Sequence, residues 1–193
     1  PMAGAAVPTE VPGLAVVPAS ADLSGAELEL VDLERREFRL RDGFEALAAA
    51  GEPYDYILID CPPALGLLTL NAFVAADAVL VPLQCEYLAL EGLSGLVRTI
   101  ERIQRAFNPT LAIQGIVLTM FDARNNLSLQ VAEDVRDYFG ETVYRTMIPR
   151  NVRVSEAPSH GQPVLLYDFR CPGSQAYIQL AREVLHREEG VAA

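Results

Sequence analysis

Residues 78–119 read AVLVPLQCEYLALEGLSGLVRTIERIQRAFNPTLAIQGIVLT, and this stretch decides the fold class. Two short apolar runs, Ala78–Pro82 and Ile113–Thr119, bracket a long segment of different period. The runs are rich in Val, Ile and Leu with little polar alternation, the pattern of strands covered on both faces. Between them, Leu93, Leu96, Val97, Ile100, Ile103, Gln104 and Phe107 recur at three- and four-residue steps, and Arg98, Glu101, Arg102 and Arg105 fall on the opposite face. That spacing predicts a helix over Ala89–Phe107 with one side packed on a sheet.

The same alternation extends outward. Leu14–Pro18, Tyr56–Ile59 and Val143–Ile148 read as further strands. Leu23–Ala50 (broken near Asp32), Leu65–Ala75, Leu127–Phe139 and Ser174–Arg187 read as helices. Strand followed by helix, repeated, gives right-handed crossovers. The prediction is a three-layer α/β fold, a mostly parallel sheet with helices on both faces and ligands at the carboxyl ends of the strands. One domain over residues 1–193 is expected. Residues 1–12, rich in Ala, Gly and Pro, are expected to lie loosely on the surface.

Composition narrows the function. At 193 residues and 51% apolar, the chain can bury one sizeable core. No apolar run is long enough to span a bilayer, and Pro1-Met2-Ala3-Gly4 lacks the basic flank and apolar stretch of a signal peptide, so a cytoplasmic protein is expected. A start on proline rather than methionine points to a cut or engineered beginning. Cys61, Cys85 and Cys171 form no CxxC pair, neither a disulfide framework nor a zinc pattern. The formal charge of −11 repels a nucleic acid backbone on average, so contact with DNA needs a local arginine patch. All fifteen basic residues are arginine, and there is no lysine.

The strand ends hold the candidate chemistry. Asp60 in Ile59-Asp60-Cys61-Pro62-Pro63 is placed either to hold a water on Mg²⁺ or to cap a turn. Thr119-Met120-Phe121-Asp122-Ala123-Arg124-Asn125-Asn126 and Ile148-Pro149-Arg150-Asn151-Val152-Arg153 are polar loops that point to the same crevice if the sheet is parallel. Asp122, Asn126 and Asn151 have a plainer reading as helix caps, the better one for Asn126. His160 and His186 pair with no Ser or Cys in a catalytic spacing.

Several long runs together resemble the ParA/Soj family of partitioning ATPases. These are Tyr54-Asp55-Tyr56-Ile57-Leu58-Ile59-Asp60-Cys61-Pro62-Pro63, Val81-Pro82-Leu83-Gln84-Cys85-Glu86-Tyr87, Leu118-Thr119-Met120-Phe121-Asp122, and Ile148-Pro149-Arg150-Asn151 with Ser155-Glu156-Ala157-Pro158-Ser159-His160-Gly161. The resemblance runs from about Val7 to Val184. It implies a P-loop NTPase fold of the deviant Walker A type, with ATP and Mg²⁺ as cofactors. It places Asp60 in the Walker B/switch II segment that positions Mg²⁺ and the attacking water. Pro149 and Asn151 match the loop that cradles the adenine, with Met120 and Asp122 near the base. Arg124 and Arg153 fall where family members carry arginines that touch DNA phosphates. The resemblance further implies an ATP-sandwiched homodimer, non-specific DNA as a partner, a ParB-type protein that stimulates hydrolysis, and a nucleoid-associated location.

One departure is as informative as the match. Family members open with a KGGxGKT loop whose amides and lysines hold the phosphates, and this sequence has neither such a loop nor a lysine. The chain is therefore read as roughly the C-terminal two-thirds of such a protein, incomplete at its N-terminus and inactive as an ATPase alone. A central strand is missing on this reading, so exposed apolar edges and self-association are expected. Three rivals stand beside it. An orphan DNA- or partner-binding module would keep the surface without catalysis. A MinD-like membrane-cycling ATPase would end in a basic amphipathic helix, unlike Arg187-Glu188-Glu189-Gly190-Val191-Ala192-Ala193. An iron-sulfur relative would use Cys61 or Cys85 as a cluster ligand, although buried structural thiols explain both.

Overall fold

Helices and strands follow one another in the computed structural model, which describes residues 4–20, 22–51, 54–62 and 64–191. In chain order they are β1 (Val7–Pro8), β2 (Ala15–Val16), α1 (Leu23–Leu30), α2 (Arg39–Ala49), α3 (Leu67–Ala75), β3 (Ala78–Gln84), α4 (Ala89–Ala106), β4 (Ala112–Thr119), α5 (Asn126–Phe139), α6 (Val152–Glu156), α7 (Val164–Tyr167) and α8 (Pro172–Val191). They divide into two compact units, Pro1–Ala78 with Thr99–Ala112, and Val79–Arg98 with Ile113–Ala193.

In the first unit, β1 and β2 pair antiparallel through Val7 with Val16 and Pro8 with Ala15. The Thr9 hydroxyl closes the turn on Leu14 O at 2.9 Å, and Gly13 supplies the positive φ of 79° that the turn needs. Leu14–Pro18 is thus the outer arm of an exposed hairpin rather than a strand of the parallel sheet, and part of the expected loose opening is paired. Two buried amides tie the helices. Asn71 accepts from Leu40 N at 3.1 Å and donates to Arg36 O at 2.8 Å and Leu67 O at 2.9 Å. Asn108 donates to Phe73 O at 3.0 Å and Ala76 O at 2.8 Å. Their amide donors face backbone carbonyls that burial would otherwise leave costly, and the Asn108 oxygen accepts from the Thr110 hydroxyl at 3.0 Å.

Tyr56–Ile59 is the principal correction in this unit. The run lies in no strand, and Tyr56, Ile57 and Leu58 are exposed, Leu58 at 89%. An apolar run becomes a strand only when a neighbour takes its backbone groups, and no strand among the described residues pairs with this one.

The second unit carries the α/β architecture. β3 and β4 are neighbours in one sheet, joined by α4. Residues Gly115–Leu118 of β4 are buried without a break, so both of its faces are covered. Ile116 and Leu118 pack with Leu93 of α4 and with Val131, Ala132 and Val135 of α5. Val117 packs on the other side with Tyr144, Ile148, and Ala176 and Leu180 of α8. Helices therefore flank the sheet on both faces. β3 is covered on one side only, with Val79, Val81 and Leu83 turned inward and Ala78, Leu80, Pro82 and Gln84 exposed. Gly115 leaves room for Tyr144, since a Cβ there would stand 2.9 Å from the ring Cζ.

Val143–Ile148 alternates as a strand does, with Val143 and Met147 on the α5 side and Tyr144 and Ile148 on the α8 side. Yet it joins β4 only through isolated parallel bridges, Ile116 with Val143 and Phe121 with Pro149. Tyr144 N donates to Ile116 O and Ile148 N to Leu118 O, both at 2.8 Å, so four residues advance against two. The two extra amides, Arg145 N and Thr146 N, donate instead to the Glu183 carboxylate of α8 at 2.8 and 2.9 Å.

Burial raises the Glu183 pKa, but those two amides and Arg187 outweigh it and hold the carboxyl below its ordinary range. A depressed carboxyl pKa adds stability above the unfolded value and loses it as pH falls through the folded one. Glu183→Gln is expected to cost about 1–3 kcal/mol near neutrality. Urea titrations of both proteins should show that difference shrinking as pH drops from about 6 to 3, across the ordinary glutamate value. A constant difference would mean the charge is not what holds these amides.

Candidate functional site

Two loops meet where β4 ends. Met120 follows the strand with φ at +50°, a left-handed conformation uncommon for a side-chain-bearing residue, and its side chain is exposed. This turn directs Phe121 back to the next segment. Phe121 N donates to Ile148 O and Arg150 N donates to Phe121 O, each at 3.0 Å. The pair of bonds fixes Met120–Asp122 beside Pro149–Asn151, so the two loops predicted to share a crevice do share an edge.

Asp122 and Arg124 form a bidentate charged contact at this edge. The Arg124 guanidinium donates from Nε at 2.9 Å and from Nη2 at 2.8 Å to the two carboxylate oxygens, and Arg124 N adds a bond at 3.0 Å. The Arg124 side-chain and backbone bonds hold the Asp122 carboxyl down to about 2. Both Asp122 oxygens therefore already accept from Arg124. Asn125, not Asn126, caps α5 by accepting from Leu127 N at 3.0 Å, and Asn126 is the first helical residue.

On the other loop, Asn151 caps α6 with its side-chain oxygen 2.9 Å from Arg153 N. Its amide nitrogen remains a donor. Arg153 donates to Glu156 at 2.9 Å and lies 3.6 Å from Asp168, while Tyr167 OH reaches Glu156 at 3.3 Å. Arg150 stands 3.8 Å from Glu86, two residues past the end of β3. His160 stacks on Tyr167 with ring centroids 4.8 Å apart, and His186 is exposed.

Asp60 belongs to the first unit, where it is exposed in the stretch that forms no strand. Pro63, the last residue of its motif, lies outside the described residues. Cys85 is buried as expected but Cys61 is exposed; partial desolvation and the Asp60 charge push the Cys61 thiol up, and burial does the same for Cys85. Among the described residues no group of three His, Cys, Asp or Glu could hold a metal ion, and no helix is long and apolar enough to cross a membrane.

Sequence reasoning missed the partners of the arginines. Glu156 was legible, because i,i+3 spacing on a helix brings it to Arg153. Asp168 and Glu86 were not, since long-range folding alone brings them close.

Comparison with known proteins agrees with this architecture. The family described as an AAA domain matches residues 1–113. The chain is 65% identical over 188 residues to the chromosome partitioning protein ParA of Caulobacter vibrioides, covering 97% of this chain and 70% of that protein. It is 56% identical over 176 residues to the sporulation initiation inhibitor protein Soj of Bacillus subtilis, covering 91% and 68%. Among solved structures, cobyrinic acid a,c-diamide synthase from Mycobacterium smegmatis, with a bound ATP analogue and magnesium, superposes with a TM-score of 0.78 at 36% identity, over 97% of this chain and 68% of that one. On these identities and coverages, the chain belongs to the ParA/Soj family of chromosome-partitioning proteins.

Proposed function

We propose that this chain supplies the base-holding edge and the DNA-contacting arginines of a chromosome-partitioning ATPase, acting as one domain. The observation that carries the reading is the bonded pair Phe121 and Pro149, which sets Met120 and Asp122 against Pro149 and Asn151. An adenine fits such an edge chemically. Met120 offers an apolar surface, Asn151 keeps an amide donor, and the loop backbone offers carbonyls and amides for the base's own donors and acceptors. Asp122 holds Arg124 there and keeps acceptor capacity on Oδ2, which takes one bond, for a donor of the base.

Mg²⁺, when bound with ATP, neutralises phosphate charge and orders water around it. Asp60 is an exposed carboxylate suited to accept from a water in that shell. These 193 residues hold no glycine-rich phosphate loop and no lysine. The phosphates are therefore assigned to residues outside them, and no ATP turnover is expected of this chain alone. The complete gene product is proposed to form an ATP-dependent homodimer on the nucleoid in the cytoplasm. There Arg124 and Arg153 contact DNA phosphates without sequence preference, and a ParB-type partner stimulates hydrolysis. Guanidinium groups suit sequence-independent phosphate contact, and a dimer doubles a patch that is weak alone.

Calorimetric titration with ATP and Mg²⁺ tests the nucleotide half. The complete gene product should bind and the 193-residue chain should not; binding by the short chain would show a phosphate site that this reading lacks. For the DNA half, Arg124→Ala in the complete protein should weaken binding to duplexes of any sequence. It should also make the slope of log affinity against log salt shallower, by about 0.9 for each phosphate that Arg124 neutralises. An unchanged slope would remove Arg124 from the interface.

A further inference from the structure

The start of α8 carries a feature that the proposed base-holding loop does not itself explain. Gly173 is buried at the N-terminus of that helix, and a Cβ built there would overlap Val154 Cγ2 and stand 3.5 Å from both Cβ and Cγ of Asn151. The helix backbone thus packs directly on α6 and on the residue that caps it.

Which side yields to an added methyl depends on how each is held. The first turn of α8 is pinned. Ser174 is fully buried, with its hydroxyl 2.7 Å from Asp168 O and 3.1 Å from Val164 O, and its amide donates to Cys171 Sγ at 3.4 Å. Asp168 in turn accepts from Arg170 N and Cys171 N, both at 3.1 Å. Farther along, Ala176 and Leu180 sit in the core beneath Val117. By contrast α6 is five residues long, with Val152 exposed at 70% and Arg153 exposed as well. Close-packed interiors transmit a volume change to whatever is least restrained. Here that is α6, and with it Asn151, whose oxygen is bonded to Arg153 N.

We infer that Gly173 is a positioning residue for Asn151: having no side chain, it lets α8 close on Val154 and so fixes where the loop Pro149–Asn151 stands. The inference rests on the base-holding reading for its functional consequence, but its geometric part is separable from that reading.

Three variants test it: Gly173→Ala, Gly173→Ala with Val154→Ala, and Val154→Leu, which adds bulk at the same contact while leaving the α8 sequence unchanged. In the 193-residue chain, the Arg153 amide resonance reports the Asn151 cap. In the complete gene product, ATP affinity and the split between KM and kcat report function. Gly173→Ala and Val154→Leu should each shift the Arg153 amide and weaken ATP binding by about tenfold, close to the effect of one base-orienting hydrogen bond, with kcat little changed. Removing the Val154 methyls in the double variant should restore both. An Arg153 amide that stays in place in both single variants, or a double variant that restores nothing, overturns the inference. A shift that is rescued while ATP affinity never changes supports the positioning of Asn151 and overturns the base-holding reading instead.

Discussion

Strand β4 holds the second unit together through unequal pairing with residues 143–149. From Tyr144 to Ile148 the chain advances four residues while β4 advances two. The ladder survives because the two surplus amides bond to Glu183 on the opposing helix. That carboxylate is a long-range partner for a local irregularity. Without it, the exposed Arg145 amide would turn to water and the part-buried Thr146 amide would lose its acceptor, which loosens the offset. The Met120 turn takes back one of the two surplus residues, so Pro149 meets Phe121 where the Ile116–Val143 register would place Ile148, and this one-residue slip decides which residues face Met120 and Asp122.

Charge at the site is held by pairing as well. A chain of net charge −11 whose only basic side chains of fixed charge are arginines keeps the two proposed DNA contacts paired with carboxylates, Arg124 with Asp122 and Arg153 with Glu156 and Asp168. These pairs are exposed on the arginine side, so they contribute little to stability. Their effect is on competition: a phosphate approaching either guanidinium meets one already bonded to a carboxylate. On the proposed reading, DNA contact replaces those bonds, which suits binding that depends on two copies acting together rather than on a single patch.

Much of the fold was legible because period alone separates β3, α4 and β4. The helix face that alternates Leu93, Ile100 and Ile103 with Arg98, Glu101 and Arg105 is buried and exposed as its spacing predicts. Tyr56–Ile59 shows the limit of that logic. Its composition matches β4, yet it forms no strand, because strand identity belongs to the pair and not to the run. Leu14–Pro18 departs from expectation for a related reason: the Thr9 and Gly13 turn offered a nearer antiparallel partner. At the site, the two loops were legible from their place at strand ends. Their coupling through Phe121, the shift of the cap from Asn126 to Asn125, and the closeness of Gly173 to Asn151 depend on distances no local pattern encodes.

On the proposed reading, the edge joining residues 120–122 to 149–151 holds the base of ATP. Photoaffinity labelling of the complete gene product with 8-azido-ATP, followed by mass-spectrometric mapping of the labelled peptide, addresses it most directly. A label within Met120–Asp122 or Pro149–Asn151 that excess ATP suppresses is expected. A suppressible label confined to other residues would contradict it.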